Sequence, residues 1–189
     1  ERRYVGGLTG YSSGPITGAV VDVAVDGGME YVGGLVGYNV AAIAASTAAG
    51  AVTGAEDVGG LAGVSEGHIA DARASGAVTG GSAVGGLVGG QHNGSVSNAT
   101  AGGPVEASGA DVGGLIGRAQ HATVNTSDAT GAVVGGGSAV GGLIGAMHEG
   151  NVTDVRATGD VEGRTDAVGG LIGVNDGELT RAHADARAG

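Results

Sequence analysis

Six residues, Val-Gly-Gly-Leu-x-Gly, recur seven times in this 189-residue chain, beginning at Val5, Val32, Val58, Val84, Val112, Val140 and Val168. The successive spacings are 27, 26, 26, 28, 28 and 28 residues. A fixed period of this size marks a repeat architecture, in which each unit buries its apolar side chains against its neighbours rather than within itself. No linker or change of composition interrupts the series, so residues 1–189 read as one domain of seven rungs starting near 5, 32, 58, 84, 112, 140 and 168.

A second pattern runs inside each unit. Eleven or twelve residues after the leading Val stands an aliphatic residue: Ile16, Ile43, Ile69, Val96, Val124, Val152 or Leu179. Small residues follow at alternate positions, as in Ala72 and Ala74, Ala99 and Ala101, or Ala182 and Ala184, and nine residues after the aliphatic comes a Val in rungs one to six. Alternation with period two is the mark of a half-buried strand. Three short strands per rung are expected: the hexamer itself, the Ile/Val-x-x-Ala-x-Ala segment, and one around the second Val. Turns such as Ser12-Ser13-Gly14-Pro15 and Gly135-Gly136-Gly137-Ser138 separate them. The expected fold is therefore all-β, a parallel right-handed β-solenoid, rising about 4.8 Å per rung to a rod roughly 34 Å long. A leucine-rich-repeat horseshoe fits less well, because the unit holds no helical stretch and no Asn ladder. The column Leu8, Leu35, Leu61, Leu87, Leu115, Leu143 and Leu171 is the expected core ladder.

Composition agrees with a thin core. There are 45 Gly, no Phe, Trp or Cys, and four Tyr, too few large side chains to fill a compact interior at protein density. Without Cys there are no disulfides and no thiolate metal sites. Net charge is −11 and all eight basic residues are Arg. An acidic chain without a basic patch is a poor partner for nucleic acid or anionic lipid, and no apolar run is long enough for a membrane span. Many carboxylates with no Lys resembles the make-up of proteins from extreme halophiles.

The strings Gly33 to Gly37 and Gly85 to Gly89, both Gly-Gly-Leu-Val-Gly, resemble the GLUG motif. That repeat occurs in large bacterial and archaeal surface proteins, adhesin-like ones among them, and in the non-catalytic regions of IgA-cleaving metallopeptidases. The resemblance spans all seven units. It implies a secreted, surface-attached repeat protein and brings no catalytic residues. The His-Glu-x-x-His of the peptidases is absent here, so no protease activity comes with it.

Four Asn-x-Ser/Thr sequons begin at Asn93, Asn98, Asn125 and Asn151, at turns or strand starts where a glycan would project outward. His92, His121 and His148 occupy the same turn of three rungs but not the same register, which reads as solvated turns rather than a metal site. Tyr4 and Tyr31 directly precede a hexamer and Tyr11 and Tyr38 directly follow one, so each pair should stack across one rung, as ring packing or as an aromatic platform for a glycan or protein. Asp71 and Asp154 share an outward column three rungs apart, beyond the reach of a glycosidase acid pair; Asp128 is nearer Asp154 but is expected to pair with Arg156. No catalytic residue, metal ligand or cofactor is assigned. The turns at Glu56-Asp57, Asp160-Val161-Glu162 and Asp166 offer carboxylates for calcium without a complete loop signature, which leaves calcium open.

These readings converge on an extracellular, non-enzymatic structural protein: a stalk or subunit of a cell-surface fibre or surface layer on a halophilic archaeon or a bacterium. An adhesin module binding surface glycans or proteins is the second reading, and a polysaccharide-degrading β-helix a distant third. The chain starts without Met or a signal peptide, as a processed product or excised segment would. Neither end rung shows a polar cap, which repeat proteins normally need. From Val168 through the last residue to Val5 of a following copy is 26 residues, an internal period, with Ala188 falling where other rungs have Val. End-to-end continuation would bring Tyr4, Val5, Leu8 and Tyr11 against Leu171, Leu179, Ala182 and Ala184.

Overall fold

The computed structural model describes residues 3–185 and 187–189. Every named element in it is a strand, and every strand pairs in parallel with the equivalent strand one rung away, so the chain is a β-solenoid of seven turns. Three sheets, of seven, six and sixteen strands, run the length of the rod.

The hexamer does not form one strand, contrary to the sequence expectation. Its Val and first Gly belong to the seven-stranded sheet, where Val5 pairs with Val32, Val58 with Val84 and Val112 with Val140. The residues after the Leu open the sixteen-stranded sheet, as in Thr9–Ser12, Val36–Asn39 and Ala62–Ser65. Between them the chain bends at Gly-Leu. Even this corner stays hydrogen-bonded: the Leu N–H donates to the Leu carbonyl of the next rung throughout, from Leu8 to Leu35 (2.9 Å) up to Leu143 to Leu171 (2.8 Å).

The second hexamer glycine sets the rod's thickness. A Cβ on Gly34, Gly60, Gly86, Gly114 or Gly142 would lie 2.1–2.2 Å from the carbonyl oxygen of the equivalent glycine in the next rung. The same Cβ would lie 2.9–3.2 Å from the methyl of Ala48, Ala74, Ala101, Ala129 or Ala157 across the core. The small residues read from the sequence are therefore the far wall of the glycine column, and the two recur together because each occupies space the other leaves.

Beyond the aliphatic column the sixteen-stranded sheet turns a second corner. Its residues are Gly18, Ala45, Asp71, Asn98, Thr126, Asp154 and Arg181, all at φ between 46° and 66°. Only glycine adopts this left-handed region freely; Asn and Asp tolerate it, and a β-branched residue is strained there. The third sheet stacks Val25, Val52, Val78, Val105, Val133 and Val161, and Ala188 extends that column by a bridge to Val161.

Two parallel cores result. The larger holds the Leu ladder, the Ile/Val column and the small residues; the smaller is almost entirely Val, from Val25 and Val32 to Val140 and Val161. Leu35, Leu61, Leu87, Leu115 and Leu143 are fully buried. The rungs vary in one respect. Rungs five and six run as single 14-residue strands, Ile116–Ala129 and Ile144–Ala157, where rungs one to four break into shorter pieces.

Two measurements test this account. Leu115→Ala, which empties a fully buried place in the fifth rung of the ladder, should lower stability by about 2–5 kcal/mol in chemical denaturation; a negligible change would reject the Leu core. Thr126→Asn places a left-handed-tolerant residue at the strained corner and should raise stability by about 1 kcal/mol.

Candidate functional site: an aromatic and charged face

Two outward columns face each other along one side of the rod. One holds the residue before each hexamer: Tyr4, Tyr31, Asp57, Ala83, Asp111, Ala139 and Ala167. The other holds the residue after it: Tyr11, Tyr38, Val64, Gly90, Arg118, Ala146 and Val174. The first column sits at the corner entering the hexamer, and Tyr31, Asp57, Ala83, Asp111 and Ala139 are held there at φ between 47° and 61°.

In the first two rungs the columns meet as four tyrosines. Tyr4 stacks on Tyr31 (centroids 5.4 Å apart, planes at 16°) and Tyr11 on Tyr38 (6.0 Å, 15°), as the sequence predicts. The two stacks also join edge to face, Tyr31 on Tyr38 at 5.5 Å and Tyr4 on Tyr38 at 5.6 Å, so the rings form one cluster rather than two pairs. Tyr4 and Tyr11 are exposed at its open end. The Tyr38 hydroxyl donates to Glu66 Oε1; that bond, with burial, holds it well above the usual phenol range. Tyr31 is raised too, by burial first and then by the charge of Asp57.

The next three rungs replace rings with charge. Arg118 Nε donates to Asp111 Oδ2 at 2.7 Å. Asp57 is mostly buried and its Oδ1 has no hydrogen-bond partner among the described residues. Burial pushes the Asp57 carboxyl up to about 6, with Glu56, Glu30 and Asp111 adding to the shift and Arg118 opposing it. Gly90 leaves a notch above Asp57: a Cβ there would lie 3.0 Å from Asp57 Oδ1 and 3.1 Å from His92 Nε2. His92 folds into this notch, where burial and Arg118 lower its pKa. The face can hold a ligand by ring contact and hydrogen bonding.

The histidines do not gather. His92 is in register with Gln120 and His148, while His121 is one residue out. His121 Nδ1 lies 3.0 Å from Glu149 and His148 Nδ1 3.3 Å from Asp176. Among the described residues no group of three or more His, Cys, Asp or Glu is placed to hold a metal ion, and no helix is long and apolar enough to cross a membrane. Two of the outward carboxylates, Asp71 and Asp154, are engaged. Asp154 takes both Nε and Nη2 of Arg181 (2.5 and 2.7 Å), which holds it below the usual carboxylate range, and Asp71 accepts from the Asn98 amide. Arg156 pairs with Asp185 at 3.5 Å rather than with its lateral neighbour Asp128, because the following rung supplies a carboxylate within its reach.

The four sequons differ in accessibility. Asn93 and Asn151 are exposed. Asn98 is exposed, but its amide is bound to Asp71. Asn125 is half-buried, and its sequon hydroxyl, on Ser127, donates to the Asn125 carbonyl and accepts from Ala99 N–H. Of the residues expected at the rod ends, Tyr4, Leu8, Tyr11, Leu179 and Ala184 are exposed, and Val5, Leu171 and Ala182 are half-buried.

An inward polar column escaped the sequence reading. Ser12, Asn39, Ser65, Gln91, Ala119, Met147 and Asn175 are stacked in register. Ser12, Asn39, Gln91 and Asn175 each donate to the carbonyl two residues on, closing the turn that ends the strand. Asn39 also donates to Ser65 Oγ one rung away, at 3.2 Å. Where the column turns apolar, at Ala119 and Met147, nothing caps that turn, and those are the two rungs whose strands run unbroken. The signal was a polar residue recurring two positions after the hexamer.

With the geometry in place, comparison with known families is decisive for the repeat. The GLUG motif matches residues 80–105 and 136–162, the fourth and sixth rungs. The chain carries GLUG repeats. The remaining rungs keep the same hexamer in the same register, so the GLUG unit here is one turn of a β-solenoid, with its Leu at the corner between two sheets. No curated protein and no solved structure matches the chain.

The raised Asp57 pKa has a consequence for stability. The folded state holds this proton more tightly than the unfolded chain, whose carboxyl titrates near about 4. Its contribution is thus fully present below that value and is lost as pH rises through about 6. The amount is on the order of 2–3 kcal/mol before solvent screening. Asp57→Asn should therefore be the more stable protein at pH 7.5, with the gap closing by pH 4 in paired denaturation curves; a gap independent of pH would refute the assignment.

Proposed function

We propose that this chain is a rod segment of an extracellular surface protein, a stalk or fibre unit without catalytic activity whose rungs continue end to end. The observation that carries the reading is the uniform core ladder: Leu35 through Leu143 are fully buried, and from Leu8 to Leu143 each Leu N–H donates to the Leu carbonyl of the next rung, so one repeated contact holds the rod along its axis. The GLUG repeat supports a surface-type repeat protein. The engaged outward carboxylates, Asp154 with Arg181 and Asp71 with Asn98, argue against a free acid pair for polysaccharide cleavage.

The charge of −11 with Arg as the sole basic residue suits concentrated salt, where screening relieves self-repulsion, and supports a halophilic archaeal or bacterial cell surface. Glycans are proposed at Asn93 and Asn151, ahead of Asn98 and Asn125, whose sequon groups are engaged. The second reading, an adhesin, rests on the tyrosine cluster, whose exposed Tyr4 and Tyr11 would contact a surface glycan or protein.

Antibody against the folded chain should label intact, unpermeabilised source cells; labelling that appears only after permeabilisation would overturn the location. Intact-mass measurement of native material should show added hexose-containing mass, removed in part by Asn93→Gln and Asn151→Gln together. A wholly unmodified mass would dismiss the glycans and leave the rod untouched.

A further inference from the structure

We infer that the notch at Gly90, in the fourth rung, is a binding site for a neutral polyhydroxyl ligand, a saccharide unit whose adjacent hydroxyls answer Asp57 and Arg118. The site lies in rungs three to five, away from Tyr4 and Tyr11, so it goes beyond the adhesin reading above and does not depend on it.

One carboxylate is left without a mate by the repeat. Asp57 and Asp111 occupy the same place, directly before their hexamers, and both are held in the left-handed region, at φ 47° and 60°. In the fifth rung the residue after the hexamer is Arg118, whose Nε donates to Asp111 Oδ2 at 2.7 Å. In the third rung that residue is Val64, which has no side-chain donor to offer. Asp57 Oδ1 is thereby buried with no hydrogen-bond partner among the described residues. A buried carboxylate oxygen without a donor is costly, and a ligand that donates to it recovers that cost.

The fourth rung makes room for such a ligand. Its two flanking residues, Ala83 and Gly90, are the smallest such pair in the rod. The place a Cβ on Gly90 would take is 3.0 Å from Asp57 Oδ1, 3.1 Å from His92 Nε2 and 3.4 Å from a Val64 methyl. An acceptor, an imidazole nitrogen and an apolar wall thus face one gap. Arg118 borders it from the fifth rung, in register with Gly90. Its Nη groups make no hydrogen bond among the described residues, and its charge acts on both Asp57 and His92. Beyond Val64 stands Tyr38, its ring held by the hydroxyl bond to Glu66.

Charge selects the ligand. A cation would satisfy Asp57 but meet Arg118. An anion would satisfy Arg118 but meet Asp57, with Glu30, Glu56, Glu66 and Asp111 near and −11 on the chain. A hydroxyl serves both, because it donates to one group and accepts from the other. Adjacent hydroxyls on a ring whose C–H groups pack on Val64 and Tyr38 fit the mixture of polar and apolar walls. His92, half-buried at the mouth, adds a donor or an acceptor according to its tautomer. Surface side chains change rotamer within nanoseconds, so the imidazole turns aside to admit the ligand.

The test titrates methyl glycosides of glucose, galactose and mannose into the nitrogen-15-labelled chain. At least one should shift the Gly90 and His92 amide signals saturably. Val64→Arg copies the fifth-rung pair and gives Asp57 a donor of its own; it should weaken that binding by about tenfold or more with circular dichroism unchanged. Gly90→Ala, which fills the notch, should do the same, and Tyr11→Ala should leave binding as it was. No saturable shift with any glycoside would overturn the site, as would calcium chloride or sodium sulfate shifting those signals where no glycoside does. Binding that survives both Val64→Arg and Gly90→Ala but is lost in Tyr11→Ala would also overturn it, and would favour the tyrosine cluster instead. The rod reading stands or falls separately, on cell labelling.

Discussion

The close approach of glycine backbones between rungs governs the rest of this molecule. With a Cβ on the second hexamer glycine placed 2.1–2.2 Å from a carbonyl oxygen of the next rung, no other residue fits without displacing main chain. That contact brings the corner Leu into the core, lets its N–H and carbonyl join the inter-rung ladder, and faces an alanine across the core in rungs two to six. The core can then be filled by one Leu and the Val, Ala or Ile after it, one further Ile or Val, two mostly small residues and two Val per turn, which is how a chain without Phe or Trp still builds a dry interior.

A rod made this way presents long columns of side chains, and its chemistry lies in how each column changes along the axis. The pair of columns flanking the hexamer begins as four packed rings, passes through a largely buried carboxylate and a glycine notch to an Arg–Asp bridge in the fifth rung, and is apolar in the last two rungs. The inward polar column changes from turn-capping to apolar, and the strands lengthen where it does. Such gradients mark position along an otherwise uniform rod.

Much of this was legible from period and alternation. Val52, Ile69 and Ala74 could be assigned inward because a strand in a one-sided core must alternate, and the tyrosine stacks followed from equal offsets to the hexamer. What escaped reading depends on backbone direction rather than residue class. The break of the hexamer at Leu, the left-handed corners at Asp71, Thr126 and Arg181, and the inward turn of Asn39 and Gln91 leave only faint polar or glycine signals. Arg156 was assigned to Asp128 by lateral adjacency, but a flexible side chain chose Asp185 in the next rung, which no spacing rule predicts.

The sequence by itself determined that there are seven equivalent rungs, which residues share a column, and which columns are apolar, because stacking in register turns equal sequence offset into spatial adjacency. Tertiary structure alone decided which column faces which across the core or the surface. Gly60 opposite Ala74 and Asp57 beneath the Gly90 notch are contacts between columns, set by the angles of the corners in each turn. Those angles arise from left-handed residues whose side chains do not announce them, so the order along the rod can be read from the chain while the order around it needs the fold.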